Sequence, residues 1–383
     1  MPHLPLMLKP VSSLCNMRCD YCFYFDVADH RALPSFGRME TEEARRIMDN
    51  VFAGTSPNTE ISLSFQGGEP LLAGLDFYRD LVTYAEQNKG ERTISYSIQT
   101  NGLLVDEDWC RFFASHKFLV GLSIDGLPAL HDLYRKDSQG QGTHQRVMEA
   151  KELLWRNKIP ANILCTLTDP LARHPQKLWR FILEEEIGHI QFTPCLGPLS
   201  GEPAPWALTP KRFHSFYLGL FRQWERAVRS GHYVSVKLFD DIVNLFVRKQ
   251  VTACGLDGKC RAQHVLEADG GLYPCDFYVL DQYRAGSLLR SPYEQVHENL
   301  LASPFLDEVR DLPQACSSCP YLDSCAGGCK RMAGVMYVDK NNFCGYRQLL
   351  DDIGVSLCRT GEWIMSRPPG FFDTDDGRAR SLK

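Results

Sequence analysis

The chain has 383 residues, of which 44% are hydrophobic and 23% are charged, a composition typical of a globular protein with two or three domains. Because it has 42 Lys and Arg residues and 47 Asp and Glu residues, its formal net charge of −5 does not indicate a nucleic acid or an anionic membrane as partner. The sequence contains no apolar run long enough to cross a membrane and no recognisable signal peptide, so we expect a cytoplasmic protein.

Residues 4–196 alternate between predicted strands and predicted helices, which is the pattern of a parallel sheet with helical crossovers. Six strands are predicted, at 4–9, 61–65, 94–99, 118–124, 161–167 and 189–195. Five helices are predicted between them, at 40–52, 77–87, 106–116, 143–157 and 175–186. Loops rich in Gly, Asn and Asp follow several strands, at the end of the sheet where such folds place their chemistry. Six units are too few for a full eight-unit barrel.

After this region, residues 197–209 are rich in Pro and Gly and predict a linker or a surface loop. Two helices with apolar residues at helical spacing are predicted at 210–229 and 236–250. We expect both helices to pack against the neighbouring domains.

The last third of the chain is dense in cysteines and turns from residue 254 to residue 344. A helix is predicted at 347–357, and the polar segment 367–383 is expected to be loosely held. The whole chain has fifteen cysteines, and in a reducing compartment such clusters indicate metal ligands rather than disulfides.

Three of these cysteines, Cys15, Cys19 and Cys22, follow the first predicted strand with the spacing C-x3-C-x2-C. Three thiolates on one loop can hold three irons of a [4Fe–4S] cubane and leave the fourth iron open. Three buried or disulfide-bonded cysteines are the alternative. The spacing, with Tyr21 before the last Cys, resembles the signature of the radical S-adenosylmethionine (SAM) enzymes. That resemblance implies a partial (βα)6 barrel and an open iron that binds the amino and carboxylate groups of SAM.

Further motifs stand at the ends of predicted strands. The run 66–70 (Gln-Gly-Gly-Glu-Pro) contains a diglycine that lets the backbone approach another group closely. It resembles the GGEP-like element that binds the SAM methionine amine in that family, which makes Gln66, Gly68 and Glu69 candidate contacts. Ser123 is a further candidate contact or part of an ordinary turn. Arg135 could pair with the SAM carboxylate through a bidentate fork, or it could form a surface salt bridge.

The C-terminal cysteines form a second system that resembles the SPASM domain, which follows the barrel in a subset of radical SAM enzymes. Eight cysteines could ligate two complete cubanes, with zinc as the alternative metal for a set of four. The resemblance implies one cluster on Cys254, Cys260, Cys275 and Cys329. It implies the other cluster on Cys316, Cys319, Cys325 and Cys344. The remaining cysteines are interpreted as small buried apolar residues: Cys110, Cys165, Cys195 and Cys358.

Asp276 directly follows Cys275, so its carboxylate is well placed to take a proton from a substrate. An Asp that caps backbone amides in a turn is the alternative. Here the runs SSLCNMRCDYCFY, FQGGEPLLAGL, QTNGLLVDE, FLVGLSIDG and YPCDFYVLD resemble the anaerobic sulfatase-maturating enzymes, up to about residue 350. The sequence departs from that family in 198–208 and beyond 350.

This closer resemblance implies Asp276 as the catalytic base and Tyr24 as an aromatic residue near the substrate. It implies SAM contacts at Tyr21, Gly68, Ser123, Arg135 and Leu196. The implied cofactors are three [4Fe–4S] clusters and SAM. The implied reaction converts a Cys or Ser in a sulfatase peptide to Cα-formylglycine by means of a 5′-deoxyadenosyl radical. The implied partners are the unfolded sulfatase peptide and an electron donor such as ferredoxin or flavodoxin.

The predicted architecture is therefore α/β, a partial (βα)6 barrel of the radical SAM type followed by a Cys-rich SPASM domain with two auxiliary clusters. The predicted divisions are a barrel at 1–200, a helical linker region at 201–253, the auxiliary-cluster domain at 254–350 and a tail at 351–383.

Two other functions stay open at this point. One is a radical SAM/SPASM enzyme that forms crosslinks in a small precursor peptide. Such enzymes often carry a peptide-binding domain before the barrel, and because 14 residues precede Cys15, we expect that module to be absent. The other is a non-catalytic iron–sulfur electron carrier, which would explain the C-terminal cysteines but not the open-iron loop together with Asp276.

Overall fold

The computed structural model describes residues 2–368. The strands within these residues are, in chain order, β1 (His3–Leu8), β2 (Met17–Cys19), β3 (Glu60–Phe65), β4 (Thr93–Thr100), β5 (Leu119–Ser123), β6 (Arg135–Asp137), β7 (Ala161–Leu167), β8 (His189–Pro194), β9 (Ser235–Val236), β10 (Val265–Leu266), β11 (Gly271–Tyr273) and β12 (Gly286–Ser287). The α-helices are α1 (Phe23–Asp29), α2 (Thr41–Ala53), α3 (Leu75–Asn88), α4 (Glu107–Ser115), α5 (Pro128–Tyr134), α6 (His144–Arg156), α7 (Pro175–Glu184), α8 (Pro210–Arg229), α9 (Lys237–Phe246), α10 (Tyr293–Leu301), α11 (Pro304–Asp307), α12 (Leu322–Cys325), α13 (Ala333–Met336) and α14 (Gly345–Met365).

One large sheet organises the molecule, with the strand order β12-β11-β10-β1-β3-β4-β5-β7-β8-β9. Its six central strands are the six predicted ones, and neighbours among them are parallel. The order is linear, with β12 and β9 at the edges, so the sheet is open and is not closed into a complete barrel. The predicted α/β fold class is therefore confirmed.

The core lies between the strands and the helices that cross over between them. Successive side chains of β7 alternate between buried and half-buried, as period-two strand geometry requires. Leu63, Phe65 and Val120 are at most 1% exposed, and full burial of each such side chain contributes about 1.5–3 kcal/mol. Cys110, Cys165 and Cys195 are buried in this core as predicted, and Cys358 is half-buried.

Helix boundaries follow local capping chemistry. The Asp106 side chain accepts a hydrogen bond from Trp109 N at 2.9 Å at the start of α4. Thr209 caps α8 in the same way, and Pro210 occupies the first helical position, where its missing N–H costs nothing. These signals explain why the predicted bounds of α8 coincide with the observed ones.

The C-terminal third joins the same sheet instead of standing apart from it. Strand β10 pairs in parallel with β1, and β11 and β12 continue antiparallel from it. Lys9 N donates to Leu266 O at 2.8 Å, and Met7 N donates to His264 O at 3.1 Å. The sheet thus continues across the predicted division at residue 254, while the other divisions stay predictions.

The last helix, α14, is longer than predicted and runs across the expected boundary at 350. It packs against α8 and α9 through an apolar stripe that continues past residue 357 to the buried Thr360 and Gly361. Most of the polar segment 367–383 lies outside the described residues. In the part of the chain that is described, no helix is long and apolar enough to cross a membrane.

Candidate active site

The cysteine loop follows β1 and carries three free, half-buried thiols, those of Cys15, Cys19 and Cys22. Its middle part is β2, which pairs antiparallel with β6 so that Cys19 lies opposite Arg135. This short ladder fixes the loop across the C-terminal ends of the barrel strands.

The three thiols lie near one another. Burial raises the pKa of Cys15 to about 11 and that of Cys19 to about 12, and the charges of the neighbouring loop thiols contribute to both shifts. Such thiols stay protonated at neutral pH until a metal binds, because a metal ion deprotonates the thiol that coordinates it. The donor set therefore fits a [4Fe–4S] cluster, in which each of the three thiolates would bind a different iron.

The diglycine motif packs directly against this loop. Gly68 N donates to Ser12 O at 2.9 Å, and Glu69 N donates to Leu14 O at 2.8 Å. A Cβ atom on Gly68 would clash with the Leu14 carbonyl. The close backbone approach expected from the diglycine is thus made to the cysteine loop itself. Whether Gly68 also contacts SAM stays a prediction.

Glu69 is buried beneath the motif and joins two strand ends. Its carboxylate accepts hydrogen bonds from Leu71 N at 3.0 Å, Thr100 Oγ1 at 2.8 Å and Asn101 N at 2.8 Å. Asn101 in turn donates to Asn16 Oδ1 at 2.7 Å in the cysteine loop. Burial raises the pKa of Glu69 to about 7. Glu69 therefore has a structural role in positioning the loop, and its predicted contact with SAM stays a prediction.

A buried polar contact next to the cysteine loop joins Tyr21, Asp125 and Arg135. The Tyr21 hydroxyl donates to the Asp125 carboxylate and accepts a hydrogen bond from Arg135 Nη1 at 3.1 Å. Asp125 also accepts from Thr166 N at 2.8 Å, and burial raises its pKa. Arg135 is only 7% exposed, so the surface salt bridge considered above is not present. Asp125 is not among the residues that the sequence singled out.

The remaining predicted SAM contacts lie at the same end of the sheet. Ser123 ends β5, and its hydroxyl accepts a hydrogen bond from Gln99 Nε2 at 2.9 Å. Leu196 follows β8 and lines a cavity of about 240 Å³ together with Cys19, Cys22 and Tyr21. The structure therefore brings these predicted residues to one region around the cysteine loop.

Asp276 meets this region from the far end of the chain. Its Oδ2 accepts a hydrogen bond from the Tyr24 hydroxyl at 2.8 Å, across a sequence separation of 252 residues. Its Oδ1 lies 2.8 Å from Lys9 Nζ, and its backbone N–H donates to Gln263. The Tyr24 hydroxyl also lies 3.2 Å from Gln66 Oε1. Asp276, Tyr24 and Gln66, all predicted site residues, are thus joined in one hydrogen-bonded group.

Lys9 is the central residue of this group that sequence reasoning missed. It is 2% exposed, its Nζ lies 4.5 Å from the centre of the Tyr24 ring, and it lies 4.0 Å from Glu267 Oε1. Arg31 pairs with the same Glu267 oxygen at 2.8 Å. The side chains of Lys9 and Arg31 therefore pair with the carboxyl groups of Asp276 and Glu267 in the interior. In the sequence, the feature that could have indicated Lys9 is its position directly after an apolar strand, at the C-terminal end of that strand.

The eight C-terminal cysteines are free in the structure, and their assignment to two clusters stays a prediction. One set lines a single cavity of about 170 Å³: Cys316, Cys319, Cys325 and Cys344. In the other set, burial raises the pKa of Cys254, Cys260 and Cys275, and the nearby Cys329 raises each pKa further. Among the described residues, no three His, Cys, Asp or Glu side chains lie close enough to hold a single metal ion.

The chain is similar in sequence to a known family and to several known proteins. Residues 10–190 match the family model of the Radical SAM superfamily. The Cysteine-type anaerobic sulfatase-maturating enzyme of Clostridium novyi (strain NT) is 36% identical over 334 residues, which cover 86% of this chain and 89% of that relative. The Serine-type anaerobic sulfatase-maturating enzyme of Klebsiella aerogenes is 29% identical over 351 residues, covering 91% of this chain and 84% of that relative.

The fold is similar to that of a solved structure described as "Native anSMEcpe with bound AdoMet and Cp18Cys peptide", with a TM-score of 0.84 and 34% identity. The match covers 95% of this chain and 100% of that chain. Sequence identity over most of both chains and a common fold lead to the same family assignment. The chain therefore belongs to the anaerobic sulfatase-maturating enzymes of the radical SAM superfamily.

Proposed function

We propose that this protein oxidises a Cys or Ser side chain in a sulfatase peptide to Cα-formylglycine. The observation that carries the proposal is the hydrogen bond between Tyr24 and Asp276. It places a buried carboxylate, adjacent to a proposed cluster ligand, beside the loop of Cys15, Cys19 and Cys22. A base at that position is what the removal of a thiol or hydroxyl proton requires.

Three [4Fe–4S] clusters and SAM are the proposed cofactors. Cys15, Cys19 and Cys22 would hold the first cluster, and the two C-terminal sets would hold the auxiliary clusters. The proposed SAM contacts are Tyr21, Gln66, Gly68, Glu69, Ser123, Arg135 and Leu196. When bound, these groups would supply the 5′-deoxyadenosyl radical that removes a hydrogen atom from the substrate Cβ, and an acceptor for the remaining electron.

The chain's own residues position the substrate and accept its proton. Asp276 Oδ2, held by the Tyr24 hydroxyl, accepts the proton of the substrate thiol or hydroxyl. Lys9 Nζ lies 2.8 Å from Asp276 Oδ1 and so helps to fix the orientation of that carboxyl group. After loss of a hydrogen atom, a proton and an electron, a Ser becomes an aldehyde, whereas a Cys becomes a thioaldehyde that water hydrolyses to the same aldehyde with release of sulfide.

A Cys-containing peptide is the proposed natural substrate. The Cysteine-type relatives are 36–38% identical to this chain, whereas the Serine-type relatives are 27–29% identical. The solved structure at 34% identity holds AdoMet and a peptide whose name includes Cys. We further propose that the peptide binds while unfolded, and that a ferredoxin or flavodoxin supplies the electrons for the first cluster.

The test is an anaerobic assay of the reconstituted protein with SAM, a strong reductant and a sulfatase peptide that carries either Cys or Ser. Peptide mass and 5′-deoxyadenosine are measured together. Aldehyde formation in proportion to deoxyadenosine supports the proposal. Deoxyadenosine without a change in sulfatase peptide mass would point to another substrate, such as a crosslinked precursor. Neither product from fully loaded protein would overturn the proposed reaction.

The Asp276→Asn variant tests the assigned base. Because Asn cannot accept the substrate proton, we expect formylglycine formation to fall by at least about 100-fold while deoxyadenosine is still formed. Asp108→Asn, at an exposed position on α4, is the control and should keep the full rate. A full rate in Asp276→Asn would show that another group removes the proton.

A further inference from the structure

Arg310 lies in the segment after α11, and its guanidinium faces three backbone carbonyls. Arg310 Nη2 is 2.8 Å from Gly328 O, 3.2 Å from Gly258 O and 3.3 Å from Ala326 O. Carbonyl oxygens removed from water need donors, and a charged donor gives the stronger hydrogen bonds. One side chain therefore donates hydrogen bonds to carbonyl oxygens from two separate parts of the chain.

These carbonyls belong to the loops that carry both C-terminal cysteine sets. Gly258 lies between Cys254 and Cys260 of one set. Ala326 and Gly328 lie between Cys325 of the other set and Cys329 of the first. Arg310 also lines the cavity formed by Cys316, Cys319, Cys325 and Cys344. Its hydrogen bonds thus connect the two predicted cluster sites.

The two loops are in direct contact at this point. Gly258 has φ +74°, and a Cβ atom there would clash with the Cys325 carbonyl. Carbonyl oxygens from both loops therefore converge on a small volume, where their negative ends repel one another unless a donor lies between them. Arg310 supplies that donor.

We propose that Arg310 is a positioning residue that holds the two C-terminal cysteine loops together and so allows both auxiliary clusters to bind. This inference rests on the proposed assignment of those cysteines as cluster ligands. Met at this position would fill a similar volume without donating, whereas Lys would keep a cation with three N–H donors.

The test compares Arg310→Met and Arg310→Lys with the wild type after anaerobic reconstitution. Iron and acid-labile sulfide are counted for each chain, and Mössbauer spectra distinguish [4Fe–4S] clusters from other iron. Three clusters correspond to about twelve irons in the wild type. We expect about eight or fewer in Arg310→Met and a value near the wild type in Arg310→Lys. Arg261→Met, which removes a half-exposed guanidinium paired with Asp257 in the same region, should keep about twelve.

The outcomes separate the inference from the proposed function. About twelve irons in Arg310→Met would overturn the role of Arg310, whereas only about four in the wild type would overturn the auxiliary clusters themselves. Cleavage of SAM by reduced Arg310→Met is the check on folding, because it depends on the first cluster. If that cleavage is lost as well, the variant has failed globally and the local role proposed for Arg310 is wrong.

Discussion

At the scale of single residues, His131 hydrogen-bonds to the backbone of Asp125 and so helps to hold the buried contact of Tyr21, Asp125 and Arg135 in place. It is fully buried, and its Nδ1 accepts the backbone N–H of Asp125 at 3.2 Å. Its Nε2 lies 3.1 Å from Thr143 Oγ1. Burial, together with the charges of Arg135 and His144, lowers the pKa of His131 from 6.5 to about 2. The ring is therefore neutral in the folded protein at any working pH.

This lowered pKa predicts a loss of stability in mild acid. As the pH falls below 6.5, the unfolded chain takes up a proton at His131 while the folded chain does not, so the free energy of unfolding decreases. The decrease is about 1.4 kcal/mol for each pH unit, or about 2 kcal/mol at pH 5. Urea unfolding of the wild type and of His131→Asn at pH 7.5 and pH 5 measures this decrease in the free energy of unfolding.

The Asn variant is the matched comparison because its side-chain oxygen can still accept the Asp125 N–H but does not titrate. We expect its stability to change with pH by about 2 kcal/mol less than that of the wild type. Equal pH dependence in the two proteins would mean that His131 is charged in the folded state or contributes nothing to the acid transition.

At the scale of elements, the sequence was most informative where a pattern is long or a cap is strong. The six central strands and α8 have enough residues for periodicity and capping to define them. Strands β2, β6 and β9 to β12 have two or three residues each, too few to show an alternation of apolar and polar residues. Their positions depend on partners elsewhere in the chain, so they could be found only in the fold.

The contact between the 66–70 motif and the cysteine loop is an element-scale feature that can be tested at Gly68. In Gly68→Ala the new Cβ would clash with the Leu14 carbonyl, so the loop must move. We expect a loss of about 1–3 kcal/mol in unfolding free energy. We also expect the first cluster to be lost, which lowers bound iron by about four of twelve and abolishes SAM cleavage.

Gly354→Ala is the control for this substitution. Gly354 lies within α14, where a Cβ atom would meet only ordinary contacts at 3.9 Å. Ala is the better helix former, so we expect a gain of about 0.5–1 kcal/mol and unchanged iron. Normal iron content and SAM cleavage in Gly68→Ala would mean that the loop tolerates the displacement and that the contact does not shape the cluster site.

At the scale of the whole molecule, the site is assembled from both ends of the sequence through the sheet. The cysteine motif, the diglycine motif and Asp276 could be predicted because each is local in sequence. Lys9 could not be assigned, because its environment exists only after β10 pairs with β1 and brings Glu267 beside it. The role of Asp125 was hidden for the same reason, since Tyr21 is 104 residues away in sequence.

Because Lys9 links the end of strand β1 to Asp276 in the C-terminal third of the chain, Lys9→Met should affect both stability and catalysis. Removing one partner of a buried ion pair leaves an uncompensated charge, so we expect a loss of about 3–5 kcal/mol. We also expect slower formylglycine formation, because Asp276 loses the contact that fixes its Oδ1. Anaerobic urea titrations and the peptide assay measure the two effects.

A double-mutant cycle decides whether the loss comes from this ion pair. In Lys9→Met combined with Asp276→Asn the unpaired carboxylate is gone, so the combined loss should be smaller than the sum of the single losses by at least about 1 kcal/mol. Lys89→Met, which removes a partner of the half-exposed Glu86, is the control and should cost less than about 1 kcal/mol. Additive losses at Lys9 and Asp276 would mean that the two charges act independently, and that the pairing of β1 with β10 holds the two parts of the chain together without this ion pair.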